Sequence, residues 1–74
     1  MYRELTVAHI RSMEGVDHVE VLFLESARIY TLLRQQPGFD ELLELLREAE
    51  HERRAVRVGL ASLDSDAIED VQVT

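Results

Sequence analysis

Apolar residues recur at helical spacing most clearly between Phe39 and Arg53, where Phe39, Leu42, Leu43, Leu46 and Ala49 fall on one stripe with Arg53 at its end. The punctuation agrees with a helix. Pro37-Gly38 breaks the chain before it, and Asp40 and Glu41 sit where the positive dipole end favours anions. Arg53 and Arg54 sit at the negative end. Glu41, Glu44 and Glu48 then face solvent, and Glu50 with Arg54 four residues on has the favourable orientation for a helical ion pair.

Elsewhere the period is two. Leu5, Val7 and His9 alternate with Thr6, Ala8 and Ile10, which predicts a first strand apolar on both faces and therefore central in its sheet. The segment from Ser12 to Asp17 carries Gly15 and separates this strand from a second, Val19 to Leu24, which pairs with it antiparallel. Past the helix, Val56, Val58 and Leu60 alternate with Arg57, Gly59 and Ala61, and Leu63-Asp64-Ser65-Asp66 has turn chemistry before a terminal strand from Ile68 to Val73. The ambiguous stretch is Glu25 to Gln36. Residues 26–35 could be helical, giving β-β-α-α-β-β, but Ile29-Tyr30-Thr31 favours a third strand over Arg28 to Leu32 after a tight turn at Glu25-Ser26-Ala27. The expectation is an α+β fold over residues 1–74 as one domain: a small curved, antiparallel-rich sheet on one amphipathic helix, in the order β-β-β-α-β-β. That element order resembles the OB-fold, a level of likeness that carries no function with it.

Composition narrows the class. With 74 residues, 46% of them hydrophobic, the chain has room for one core. Domains of this size commonly lean on disulfides, a metal or a partner subunit, and with no cysteine the first is excluded. Absence of cysteine also fits a reducing compartment, and the opening residues, with Glu4 and no apolar core, do not resemble a secretory signal. The expected location is cytoplasmic. Val21 to Leu24 is the longest purely aliphatic and aromatic run, far below the ~20 residues of a membrane-spanning helix. All eight basic residues are arginine, and lysine and asparagine are both missing, the mark of a GC-rich, bacterial type of genome that would also suit a thermophile. A net charge of −7 favours solubility and opposes nucleic-acid phosphates.

No constellation of residues assembles a catalytic, cofactor-binding or metal site, so none is assigned and no cofactor is expected. His18 and Glu20 share a strand face but lack further ligands, His51-Glu52 opens the H-E-x-x-H pattern only to meet Ala55, and Asp64-Ser65-Asp66 lacks the rest of a calcium loop. His9 has no partner at ligand spacing. Ser12, Ser26, Ser62 and Ser65 sit in no nucleophile motif. Gly15, Gly38 and Gly59 are too scattered to cradle a phosphate. The concentration of positive charge, Arg47, Arg53, Arg54 and Arg57 with His51, is diluted by Glu48, Glu50 and Glu52, and suits helix-end compensation better than an anion or RNA surface with Tyr30 as stacking platform.

What remains is a count of faces. Val19, Val21 and Phe23 point one way and Leu22 and Leu24 the other, and Leu5 and Val7 are matched by Ala8 and Ile10. One helix covers one face. The favoured reading is a non-enzymatic, self-associating protein-interaction module, most simply a two-fold dimer, with a further protein partner also compatible. The alternatives are a nucleic-acid-binding OB-like barrel, disfavoured by charge, and a small enzyme or ligand-binding domain active only as an oligomer.

Overall fold

The computed structural model describes residues 1–73 and contains five strands and one helix: β1 (Tyr2–Ser12), β2 (His18–Phe23), β3 (Ile29–Leu33), α1 (Phe39–Glu52), β4 (Ala55–Leu60) and β5 (Ile68–Val73). The order β-β-β-α-β-β is the expected one, and the ambiguous stretch holds a strand rather than a second helix. The sheet runs β3-β2-β1-β4-β5 with every adjacent pair antiparallel. Its two ends approach one another, where Thr31 of β3 makes a single parallel bridge to Ala67, just ahead of β5. Pairing order and near-closure thus extend the OB-fold resemblance from element order to connectivity.

Curvature comes from β1, which spends its two halves on different neighbours. Tyr2–Thr6 pair with β4, and Val7–Ser12 with β2, with a register shift between Val7 and His9. This bulge at Ala8 changes the alternation, so Leu5, Val7 and Ile10 all meet the core and His9 turns outward. The expectation that Ile10 backs Leu5 and Val7 on the opposite face is therefore incorrect. The extra residue moves Ile10 across the sheet.

Two carboxylates take backbone donors where neighbouring strands stop. β4 reaches only as far as Thr6, and beyond it the Ile10 N–H donates to Glu50 Oε2 at 2.9 Å. β2 ends opposite Val7, and beyond it the Thr6 N–H and hydroxyl donate to the two carboxylate oxygens of Glu25, each at 2.7 Å. The hydrogen bond from the Thr6 N–H lowers the Glu25 carboxyl below its ordinary 4.5, against a smaller opposing effect of desolvation. Glu50 is thus engaged with β1, and Arg54 pairs with Glu52 instead of with Glu50 as the helical spacing suggested.

One continuous core lies between the concave sheet and α1. It joins Leu5, Val7, Val19, Val21, Phe23, Tyr30, Leu32, Val56, Val58, Leu60, Ile68 and Val71 to Leu42, Leu46 and Ala49 of the helix. Phe39, Leu43 and Leu45 are half-buried at its margin, and Glu41, Glu44 and Glu48 are exposed. The helix begins after Gly38, whose φ of 76° suits glycine, and ends at Arg53, also left-handed, where the Arg54 N–H returns to Ala49 O at 2.9 Å. No helix among the described residues is long and apolar enough to cross a membrane.

Three outcomes are expected. Leu46 is fully enclosed, so Leu46→Ala should lower the unfolding free energy by about 2–5 kcal/mol in a denaturant titration, a large share of what so small a domain has. Glu50→Ala strands the Ile10 N–H and should cost about 1–2 kcal/mol, whereas Glu50→Gln keeps an acceptor and should recover most of it. Because the folded-state pKa of Glu25 is lowered, its contribution is complete above the ordinary 4.5 and is lost as pH falls through the folded value. Stability measured from pH 6 downward should therefore fall less steeply in Glu25→Gln than in the unmodified chain.

Candidate interaction surface

The convex face of the sheet, away from α1, divides by strand. Over β1, β4 and β5 it is polar. The Tyr2 ring lies over Gly59, at a distance where a Cβ on that glycine would stand 3.1 Å from the ring. The Tyr2 hydroxyl donates to Asp70 Oδ2 at 2.7 Å, and the Arg57 guanidinium sits 5.2 Å from the ring centroid. The hydrogen bond to Asp70 raises the Tyr2 phenol above its ordinary 10.0. Farther along, Arg11 faces Glu20 across β1 and β2 at 3.7 Å.

Over β2 and β3 the same face turns apolar. Leu22 stands opposite Ile29, and His18 opposite Leu33, with Glu20 and Thr31 between them. Leu24, Ile29 and Leu33 are 61%, 42% and 47% exposed, a concentration that local sequence explains: alternation in β2 and β3 commits Val19, Val21, Phe23, Tyr30 and Leu32 to the core and leaves their apolar neighbours outside. Between Glu25 and Asp40 the chain has no acidic residue, although it carries 15 in all. Beside Leu33, where β3 and β5 diverge, an open groove of about 500 Å³ is lined by Leu33, Gln36, Pro37, Ala67, Ile68 and Glu69.

The residues singled out from sequence are dispersed. His9 Nδ1 is 3.5 Å from Glu50 Oε2, but His18 lies four register positions away on β2, about 13 Å along the strand, and His51 is exposed on α1. Among the described residues no three histidine or acidic side chains converge as a metal site would require. Ser65 belongs to the β4–β5 connection, where its hydroxyl accepts the Ala67 N–H at 3.2 Å. Ser26 likewise accepts the Arg28 N–H at 3.2 Å, and Ser12 accepts from Arg34 at 3.1 Å.

The arginine cluster does not form one surface. Arg57 lies on the convex face over Tyr2, Arg54 pairs with Glu52, Arg53 reaches Ala8 O at 3.4 Å, and Arg47 is exposed on the helix across the sheet. Tyr30, considered above as a stacking platform, is wholly buried. Its ring packs edge-on against Phe23 at 5.2 Å and its hydroxyl accepts from Arg3 at 3.0 Å. Tyr30 stands opposite Val21 on the core side of the sheet, and the alternation of Tyr30 and Leu32 with Ile29, Thr31 and Leu33 could have revealed this. The role of Glu50 left a fainter signal: the change from a two-residue to a three-residue step in Leu5, Val7, Ile10 marks the bulge whose backbone it serves.

No protein-family model matches the chain, and no curated protein matches it. Among solved structures it is similar to pro-protein-glutaminase, with a TM-score of 0.82 and 18% identity over 96% of this chain and 24% of that one. It is also similar to the A47Q2 mutant of pro-protein-glutaminase, with a TM-score of 0.78, 18% identity and the same coverage. The likeness is one of fold, and this chain spans about a quarter of the length of those it matches.

Proposed function

We propose that this protein is a non-enzymatic interaction module that associates with itself, most simply as a two-fold dimer, in the cytoplasm. The observation that carries the reading is the exposed apolar strip of Leu24, Ile29 and Leu33 at the β2–β3 end of a convex face that is otherwise polar. Clustered aliphatic side chains at a sheet edge mark a surface that another molecule covers, and a second copy is the commonest cover.

The nucleic-acid alternative loses support. Oligonucleotide-binding OB-folds use the face of strands 2 and 3 with the loops after strands 1 and 4. Here that face offers aliphatic side chains, its aromatic residues Phe23 and Tyr30 are in the core, and the two loops carry Glu14, Asp17, Asp64 and Asp66. Phosphates reaching the loops would meet like charge, and bases would find no stacking surface on this face.

Sedimentation at tens of micromolar should show a species heavier than the monomer that grows with concentration, and labelled single-stranded RNA and DNA should show no anisotropy change at physiological salt. A lone monomer at every concentration refutes self-association. Micromolar, salt-sensitive binding of RNA or DNA would establish the alternative.

A further inference from the structure

We propose that β3 is the edge through which two copies pair, and that the connection over residues 61–67 is a strap covering that edge in the monomer. This rests on the self-association reading and specifies its geometry.

Backbone groups along β3 alternate between β2 and the open edge. Tyr30 and Leu32 lie opposite Val21 and Val19 of β2, and the Thr31 N–H points the other way, to Asp66 O at 2.8 Å. Ile29 and Leu33 share the parity of Thr31, so their backbone groups also face outward from the sheet. Placed antiparallel about a two-fold axis through Thr31, two such strands exchange both Thr31 hydrogen bonds. Ile29 of one copy then stands beside Leu33 of the other, twice over. Both residues are on the convex face and nearly half exposed. The strand is self-complementary in just this register, and its acid-free sequence spares it the carboxylate repulsion that the rest of a −7 chain would impose.

The strap stands in the way, and it is lightly tied. It meets β3 through the Thr31 N–H bond to Asp66, the bridge of Thr31 with Ala67, and the Arg28 guanidinium, which donates to Asp64 O at 2.9 Å and Leu63 O at 3.4 Å. Its other bonds are internal, from Ser65 N to Ser62 O and from Ala67 N to Ser65 Oγ. Leu63, its large aliphatic residue, is 58% exposed, so the strap buries little apolar surface of its own. Arg28 acts twice against pairing. It anchors the strap, and in the two-fold register it falls opposite Arg34 of the second copy, a like-charge pair.

Sedimentation velocity on the full chain and three variants tests this, with amide hydrogen exchange at Thr31 as an independent readout. Arg28→Ala removes anchor and repulsion together and should lower the dimer Kd about tenfold, the scale of one hydrogen bond to a charged group. Leu33→Arg, in the paired row, should raise it at least about tenfold, and Leu24→Arg, at the margin of the same strip beyond that row, should raise it less, by about threefold. The Thr31 amide should exchange faster in dilute Arg28→Ala than in the dilute unmodified chain, and slower in either protein once dimeric. A dimer lost in Leu24→Arg but unchanged in Leu33→Arg and Arg28→Ala would overturn the edge assignment while leaving self-association standing. Monomers alone, for both the unmodified chain and Arg28→Ala at millimolar concentration, would overturn both.

Discussion

The architecture depends on the corner in β1. One 11-residue strand serves two neighbours, and the bulge at Ala8 lets it do so while keeping Leu5, Val7 and Ile10 in a single core. A corner of this kind leaves backbone donors without strand partners, and a buried or half-buried donor left unpaired costs about as much as a hydrogen bond. Glu25, from the β2–β3 turn, and Glu50, from the last turns of α1, supply the acceptors. The helix is thereby joined to the sheet by a polar contact as well as by Leu42, Leu46 and Ala49, and its position along β1 is set by a specific atom pair rather than by apolar packing alone.

The same corner shapes the surface. By curling the sheet it brings β3 toward β5 without completing the ladder, and the strap meets β3 through the Thr31 N–H bond to Asp66 O, the Thr31–Ala67 bridge and the Arg28 guanidinium. A closed barrel has no edge to offer, and an open flat sheet exposes its edge constantly. This fold lies between the two, with an edge covered by a short connection. The bulge also removes Ile10 from the convex face, so that the exposed aliphatic residues of that face lie at its β2–β3 end, while exposed Val73 is on the other side of β5.

Dispersal of charged residues follows from how strands and helices divide neighbours in sequence. Arg53, Arg54 and Arg57 are close along the chain, but the helix ends and β4 begins between them, and alternation in β4 sends Arg57 to the face opposite α1. Their partners differ in each case: a carboxylate for Arg54, a ring for Arg57 and a backbone carbonyl for Arg53. A run of basic residues that crosses an element boundary is therefore poor grounds for a binding patch, because its members inherit the faces of different elements.

Local pattern determined a great deal of this protein. Helical spacing from Phe39 onward, the glycine before it, the alternation in β2 and β4 and the β-branched content of Ile29-Tyr30-Thr31 were sufficient for the element order and for most of the core, because each reports a local backbone preference together with which side is apolar. The tertiary structure alone decided that Ile10 turns inward, that Glu50 serves β1 rather than Arg54, that Tyr30 is sealed against Phe23 and Arg3, and that residues 61–67 lie along the edge of β3. Of the candidate surface, the excess of aliphatic residues in β2 and β3 was legible and its confinement to one edge was not. Each of these outcomes depends on partners distant in sequence, from 7 residues for Phe23 and Tyr30 to 40 for Ile10 and Glu50, and no periodicity within a segment encodes which distant groups the closing of the sheet will bring to it.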